Sequence, residues 1–131
     1  MEPLTVLLDT HTLLWWLFDS AELSPKARVL LGDRKIRVLV SAASAWEIAT
    51  KFRLGRLPAA APLVADFAGW IAKAGFVELP ITPAHACAAG LLVGEHRDPF
   101  DRLLAAQALA EEVAVLGCDG ALDDFGTQRL W

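Results

Sequence analysis

Four short apolar runs punctuate this chain, the first three each followed by a stretch with helical spacing. LTVLLD at 4–9, Arg37–Ser41, Phe76–Leu79 and Val113–Leu116 read as buried strands, and Arg129–Trp131 adds a last short one. Between them, His11–Phe18 is helical, and Ser24-Pro25 opens a helix that runs to about Leu31 and stops at Gly32. Ser41 or Ser44 caps a helix that carries Trp46, Glu47, Ile48 and Lys51 and ends near Gly55. Pro58–Pro62 is an Ala/Pro linker. Leu63, Phe67, Trp70 and Ile71 then predict one helix over 63–74, with Gly75 as its stop. Thr82-Pro83 starts a helix to about Leu91, Gly94–Arg97 is a polar loop, and Asp98-Pro99 opens a helix that continues to Glu112. Asp123–Gly126 reads as a turn or a short helix.

Strands that alternate with helices predict an α/β fold, a parallel sheet of about four or five strands covered by helices. The 131 residues fit one domain, 1–131. No apolar stretch reaches the roughly 18 residues of a membrane span, and no basic segment followed by a long apolar one suggests a secretory signal. Cys87 and Cys118 lie far apart with no metal-ligand spacing, which fits reduced thiols in the cytoplasm and argues against structural zinc. The net charge of −4 is unusual for a protein that holds nucleic acid by bulk electrostatics. A bound cation removes that objection by inverting the local charge.

Candidate chemistry lies in the carboxylates. In a parallel α/β sheet, ligands bind beyond the carboxyl ends of the strands. Asp9 ends the first apolar run, Asp119 follows the fourth, Glu47 lies in the helix after the second, and Asp98 and Asp101 open a late helix. This order can deliver all of them to one edge. Clustered carboxylates repel and raise one another's pKa, a cost that a divalent cation offsets, and all-oxygen ligands suit Mg²⁺ or Mn²⁺. Each acid has a plainer reading too. Asp9 and Asp98 can cap helices, Glu47 can pair with Lys51 at i+4, Asp101 can complement a helix dipole, and Asp119-Gly120 can be a turn. Capping by Asp98 and ligation by Asp101 is the preferred division, although Asp98 can still reach a metal from the helix entrance. Asp123 and Asp124 read as solvated turn residues.

LLDTHTLLWW at 7–16, SAASAWEIATKFRLGRL at 41–57, HRDPFDRLLAAQAL at 96–109 and LGCDGAL at 116–122 resemble, in order, the segments of PIN domains, and more closely the VapC-type toxins of type II toxin–antitoxin pairs. HRDPFDRLLAAQA is the most specific of these. The resemblance implies a three-layer PIN-like sandwich and a Mg²⁺- or Mn²⁺-dependent endoribonuclease. By the same resemblance Asp9, Glu47 and Asp101 match the acidic core and Asp119 the more variable fourth acid. It also implies an RNA substrate, a VapB-like antitoxin that occupies a groove, and a homodimer or toxin–antitoxin hetero-oligomer, with no membrane.

Lys51, Arg53, Arg97 and Arg102 can contact RNA phosphates or form a solvated basic face. Thr10 can bond a carboxylate or a phosphate, and Ser41 can position a ligand or cap its helix. His11, His85 and His96 share no ligand spacing and read as structural or exposed. Trp15 and Trp16 are adjacent, so one is expected in the core and the other in a groove with Leu14, Phe18 and the Leu54–Leu57 region. Two other classes compete. An aspartate-based phosphatase needs a second Asp two residues after the first, where this chain has His11, and a receiver domain needs paired early acids. A non-catalytic PIN-fold binding module would bind little divalent metal.

Overall fold

The computed structural model describes residues 4–131; residues 1–3, part of the expected 1–131 unit, lie outside the described residues. Strands β1 (Thr5–Leu8), β2 (Arg37–Ser41), β3 (Val77–Leu79), β4 (Ala114–Leu116) and β5 (Arg129–Leu130) form one sheet in the order β3-β2-β1-β4-β5. Every pairing is parallel, with Val6 opposite Val38 and Ala114, and Leu116 opposite Leu130. The helices are α1 (Thr10–Leu17), α2 (Pro25–Gly32), α3 (Ala42–Arg53), α4 (Ala61–Ala65), α5 (Phe67–Lys73), α6 (Pro83–Leu91) and α7 (Pro99–Glu111).

The three-layer arrangement follows from strand periodicity. Successive side chains of a strand point to opposite faces. Val6, Leu8, Val38, Val40 and Leu116 join one core with Leu13, Ala27, Ile48, Leu63 and Ile71. Leu7, Leu39 and Val115 face the other way, into a second core with Leu104, Ala105, Ala108, Leu122 and Phe125. A sheet covered on both faces needs apolar residues at every strand position, which is why the strands read as unbroken apolar runs.

Helix starts follow the expected capping chemistry. Ser24, Thr82 and Asp98 accept backbone N–H bonds at the entrances of α2, α6 and α7, each with Pro at the first position. The helix expected over 63–74 is two helices. Asp66 leaves helical geometry (φ −150°, ψ 66°), and its carboxylate accepts the Gly69 N–H at 3.1 Å. Gly69 makes this possible, because a Cβ there would lie 2.2 Å from an Asp66 oxygen. The Ala/Pro segment is a 3₁₀ turn (Pro58–Ala60) leading into α4, and of the turn or short helix expected at 123–126 it is a short 3₁₀ helix that forms, over 120–125.

The aromatic expectation on α1 needs correcting as well. Trp15 and Trp16 are both half-buried against the first core, Trp15 on Trp131 and Trp16 on Phe76. Leu14 is core, whereas Phe18 and, in the 54–57 region, Leu54, Gly55 and Arg56 are exposed. Among the described residues no helix is long and apolar enough to cross a membrane.

Candidate active site at the carboxyl edge of the sheet

Chain order reverses between β1 and β4: β2 and β3 lie on one side of β1, and β4 and β5 on the other. Such a switch point opens a crevice at the carboxyl ends of its two strands. Asp9 leaves β1 there, and its backbone N–H continues the ladder to Leu116 O at 3.1 Å. Its carboxylate caps α1 by accepting the Thr12 N–H at 3.1 Å. Gly117, one residue past β4, lies against it; a Cβ there would meet Asp9 Cβ and Cγ at 2.9 Å and Oδ2 at 2.7 Å. Asp9 is 7% exposed. Burial pushes its pKa up, backbone hydrogen bonds and His11 draw it back, and the charge of Asp119 adds to the rise.

On β2's side the acid is Glu47, 5% exposed, in the middle of α3. Lys51 Nζ donates to it at 2.5 Å, so the i+4 pair foreseen from the sequence is formed, with its acid in the interior. Three further bonds lock α3 in place. Thr10 and Ser44 share a buried hydroxyl–hydroxyl bond of 2.9 Å, which ties the start of α1 to α3. Ser41 caps α3 through the Ala43 N–H and donates to the buried Gln107 side chain of α7.

Asp98 caps α7, accepting from the N–H groups of Phe100 (2.9 Å) and Asp101 (3.3 Å). Asp101, in the first turn, bonds the His96 imidazole at 2.7 Å. Burial raises Asp101 first, His96 pulls it down, and the charges of Asp98 and Glu47 push it up. His96 in turn is raised, chiefly by its bond to Asp101 and then by the charges of Asp101, Asp98 and Asp119. Reading the histidines as lone residues missed this contact. The signal was local: His96 stands five residues before Asp101, across an Asp-Pro helix entrance that turns the chain back over its own first turn.

The sheet edge thus brings Asp98 and Glu47 within electrostatic reach of Asp101, and Asp119 within reach of Asp9. His96 senses acids of both groups. Asp119 is exposed and caps the following 3₁₀ stretch through the Ala121 N–H at 2.9 Å. Among the described residues no three His, Cys, Asp or Glu side chains are drawn together into a closed metal cage. The acids are instead held apart on hydrogen bonds and cations of the protein. The donor set, carboxylate oxygens alone, nevertheless fits a hard divalent cation, and such an ion would relieve the like-charge repulsion that the geometry imposes.

The basic residues divide. Arg102 turns inward and donates to the carbonyls of Ala89, His96 and Leu92, with Gly90 at the 3.5 Å limit, and stacks over Phe125. It is thereby spent on closing the C-terminus of α6 and the 92–98 loop, not on phosphate. Lys51 is engaged by Glu47, whereas Arg53 and Arg97 are exposed. Asp123 pairs with Arg129, which also donates to Gly117 O at 3.2 Å.

The PIN domain family profile matches residues 6–127. Ribonuclease VapC16 of Mycobacterium tuberculosis (strain ATCC 25618 / H37Rv) is 35% identical over 66 residues, 50% of this chain and 47% of that protein, so the match spans about half the length of the curated relative. Two solved structures share the fold. VapBC2 from Rickettsia felis, bound to a DNA fragment from its promoter, aligns with a TM-score of 0.64 at 10% identity, covering 97% of this chain and 98% of the other. A toxin–antitoxin complex from Klebsiella pneumoniae aligns at 0.59 and 15% identity, covering 88% of each chain. The profile match over nearly the whole chain, on a five-stranded parallel sheet with acids at its switch point, decides the assignment: the chain belongs to the PIN domain family, and its likenesses carry VapC-type names.

Proposed function

We propose that this protein is the toxin of a type II toxin–antitoxin pair, a cytoplasmic endoribonuclease that hydrolyses RNA phosphodiester bonds with Mg²⁺ or Mn²⁺. The observation that carries the reading is the set of five acids, Asp9, Glu47, Asp98, Asp101 and Asp119, brought by separate elements to the carboxyl edge around one switch point. The name of the Mycobacterium tuberculosis relative supports RNA as the substrate. The Klebsiella pneumoniae toxin–antitoxin complex supports an antitoxin as partner, which this reading takes to be VapB-like, in a toxin–antitoxin hetero-oligomer or beside a toxin homodimer.

Asp9, Glu47 and Asp101 are the ligands this reading assigns, with Asp119 as a fourth acid and Asp98 fixing the entrance of α7. The bound ion would supply positive charge to a phosphate oxygen and acidify the attacking water. The protein's own part is to hold the carboxylates against their repulsion. Backbone N–H donors hold Asp9, Lys51 holds Glu47, and His96 holds Asp101. Phe18, Leu54 and the 470 Å³ groove between Trp16, Leu17, Arg28 and Trp70 offer an apolar seat for the antitoxin.

The test is incubation of the protein with pooled cellular RNA in Mg²⁺, in Mn²⁺ or in a chelator, with mapping of the new 5′ and 3′ ends. Discrete cuts that need the cation support the reading. Equal cutting in the chelator, or no cutting with either ion, refutes it.

A further inference from the structure

Trp46 is 51% exposed, a large ring left in solvent on a helix whose next residue, Glu47, is buried. Its one aromatic contact is Phe100 of α7, at a centroid distance of 4.6 Å and an interplanar angle of 75°. Phe100 lies between Asp98 and Asp101. The aromatic pair therefore bridges the same α3–α7 seam as the coupled acids Glu47 and Asp101. In an edge-to-face contact one ring presents its edge, so its own flat faces are not covered by the partner. Along α3 the neighbours of Trp46 at three and four residues are Ala42, Ala43, Ala49 and Thr50, all too small to cover the indole. Arg53, two turns further on the same face, is exposed and lies about 10 Å along the helix axis.

We propose that the Trp46–Phe100 pair is a stacking platform for one nucleobase of single-stranded RNA, adjacent to the acidic edge. The proposal rests on the ribonuclease reading above and deepens it. Exposed aromatic faces bind unpaired bases without regard to Watson–Crick partners. A protein of net charge −4 has little bulk attraction for a polyanion away from a bound cation, so contacts that do not depend on net charge add affinity there. Stacking is such a contact, and Arg53 stands where the strand's backbone could continue. A helical protein partner fits the surface less well. It would need a stripe of large apolar residues along α3, whereas the positions flanking Trp46 on its face are Ala42, Ala49, Thr50 and Arg53.

The test uses the full chain carrying Asp9→Asn, so that RNA survives, and a labelled single-stranded oligoribonucleotide with or without one abasic position moved along it. Affinity is read by fluorescence anisotropy in Mg²⁺. Trp46→Ala and Trp46→Leu are expected to weaken binding of the intact oligomer about tenfold, while Trp46→Phe stays within about threefold. At one abasic position the unsubstituted surface should lose the same factor, and Trp46→Ala should lose nothing more. Trp46→Leu keeps an apolar contact to Phe100, so retention of the fold is checked on two variants by melting. Ala and Leu variants that bind intact RNA as tightly as the parent overturn the platform, as does a change of oligomeric state with RNA binding unaltered. Metal-dependent cleavage by the Asp9-bearing chain alongside such a result sinks the platform alone. Absence of both cleavage and base-dependent binding sinks the ribonuclease reading with it.

Discussion

Asp9 and Asp101 are both held above the ordinary carboxylate range, and burial is the first cause for each, yet they are stabilised by different means. Asp9 rests on backbone N–H groups at the start of α1, fixed dipoles that neither titrate nor leave. Asp101 rests on His96, and Glu47 beside it on Lys51. These are side chains, an imidazole and an ammonium, that can be displaced. The strand side of the site is therefore built by the chain itself, while the α3–α7 side is held by partners that a bound cation would replace. On the proposed metal-site reading, the difference separates what the fold supplies permanently from what a bound ion would take over.

The strongest way to break the comparison is to remove charge from each side in turn. Asn caps a helix about as well as Asp, so Asp9→Asn should melt close to the parent. Cleavage should nevertheless fall a hundredfold or more, about 3 kcal/mol of lost electrostatic stabilisation. Asp101→Asn should lose cleavage to a similar degree but also free His96. End-labelled RNA cleavage and thermal melting, run together, check both. Normal cleavage by Asp9→Asn would end the metal-site reading.

Next in size is Arg102→Ala. This guanidinium closes the carbonyls of Ala89, His96 and Leu92, so its loss should destabilise the protein by about 2 kcal/mol in urea unfolding. Because those bonds hold the loop that carries His96, the cost should be accompanied by impaired cleavage on the Asp101 side. Arg102→Lys should not restore it, since a point charge cannot span several carbonyls as the planar fork does. An unfolding midpoint equal to the parent's would show that the loop needs no such clamp.

How much of this was legible in the chain depended on the distance over which each cause acts. The strands were, because burial on both faces forces apolar residues at every position, as in Val6-Leu7-Leu8. The caps at Ser24, Thr82 and Asp98 were, because Pro and the capping side chain are neighbours. The break at Asp66 was hidden by the apolar spacing of Leu63, Phe67 and Ile71, which carries across it. Its signal was the Asp-x-x-Gly spacing, an N-cap three residues before a residue with no Cβ. At the site, the order of the acids was readable from topology and the Glu47–Lys51 pair from i+4 spacing. Arg102 was misread because its acceptors lie on a loop whose path depends on the packing of α6 against α7. The Thr10–Ser44 bond escaped for the same reason, its partners being 34 residues apart.

Gly117→Ala sharpens the comparison from the strand side. The new methyl would sit 2.9 Å from Asp9 Cβ and Cγ, and these atoms are too close to the backbone to swing away freely. Overpacking of this kind should cost about 1.5 kcal/mol and displace the carboxylate, so that cleavage falls about tenfold. The loss should be specific to Asp9: Gly120→Ala, three residues along, meets only ordinary contacts at 3.5 Å or more and should behave as the parent. Equal effects of the two substitutions would mean that Gly117 serves the loop and not the acid.

The smallest effect, and the one that most directly tests whether the α3 side awaits a cation, comes from Lys51→Met. Removing the ammonium leaves Glu47 buried without its ion pair, but Lys51 is itself about a third exposed, so the cost should be about 1 kcal/mol or less. The informative quantity is the rise in melting temperature on adding Mn²⁺. In the parent, an ion approaching Glu47 must displace or be repelled by Lys51, which opposes binding. In Lys51→Met that opposition is gone while the carboxylate remains, so the Mn²⁺-induced rise should exceed the parent's at every concentration below saturation. Asp9→Asn should show the reverse, a smaller rise than the parent, because it removes a charged ligand while the backbone dipoles that hold it never competed with the ion. A Lys51→Met protein whose melting temperature responds to Mn²⁺ no more than the parent's would mean that Glu47 does not meet the metal, and the two sides of the site would then differ in function as well as in support.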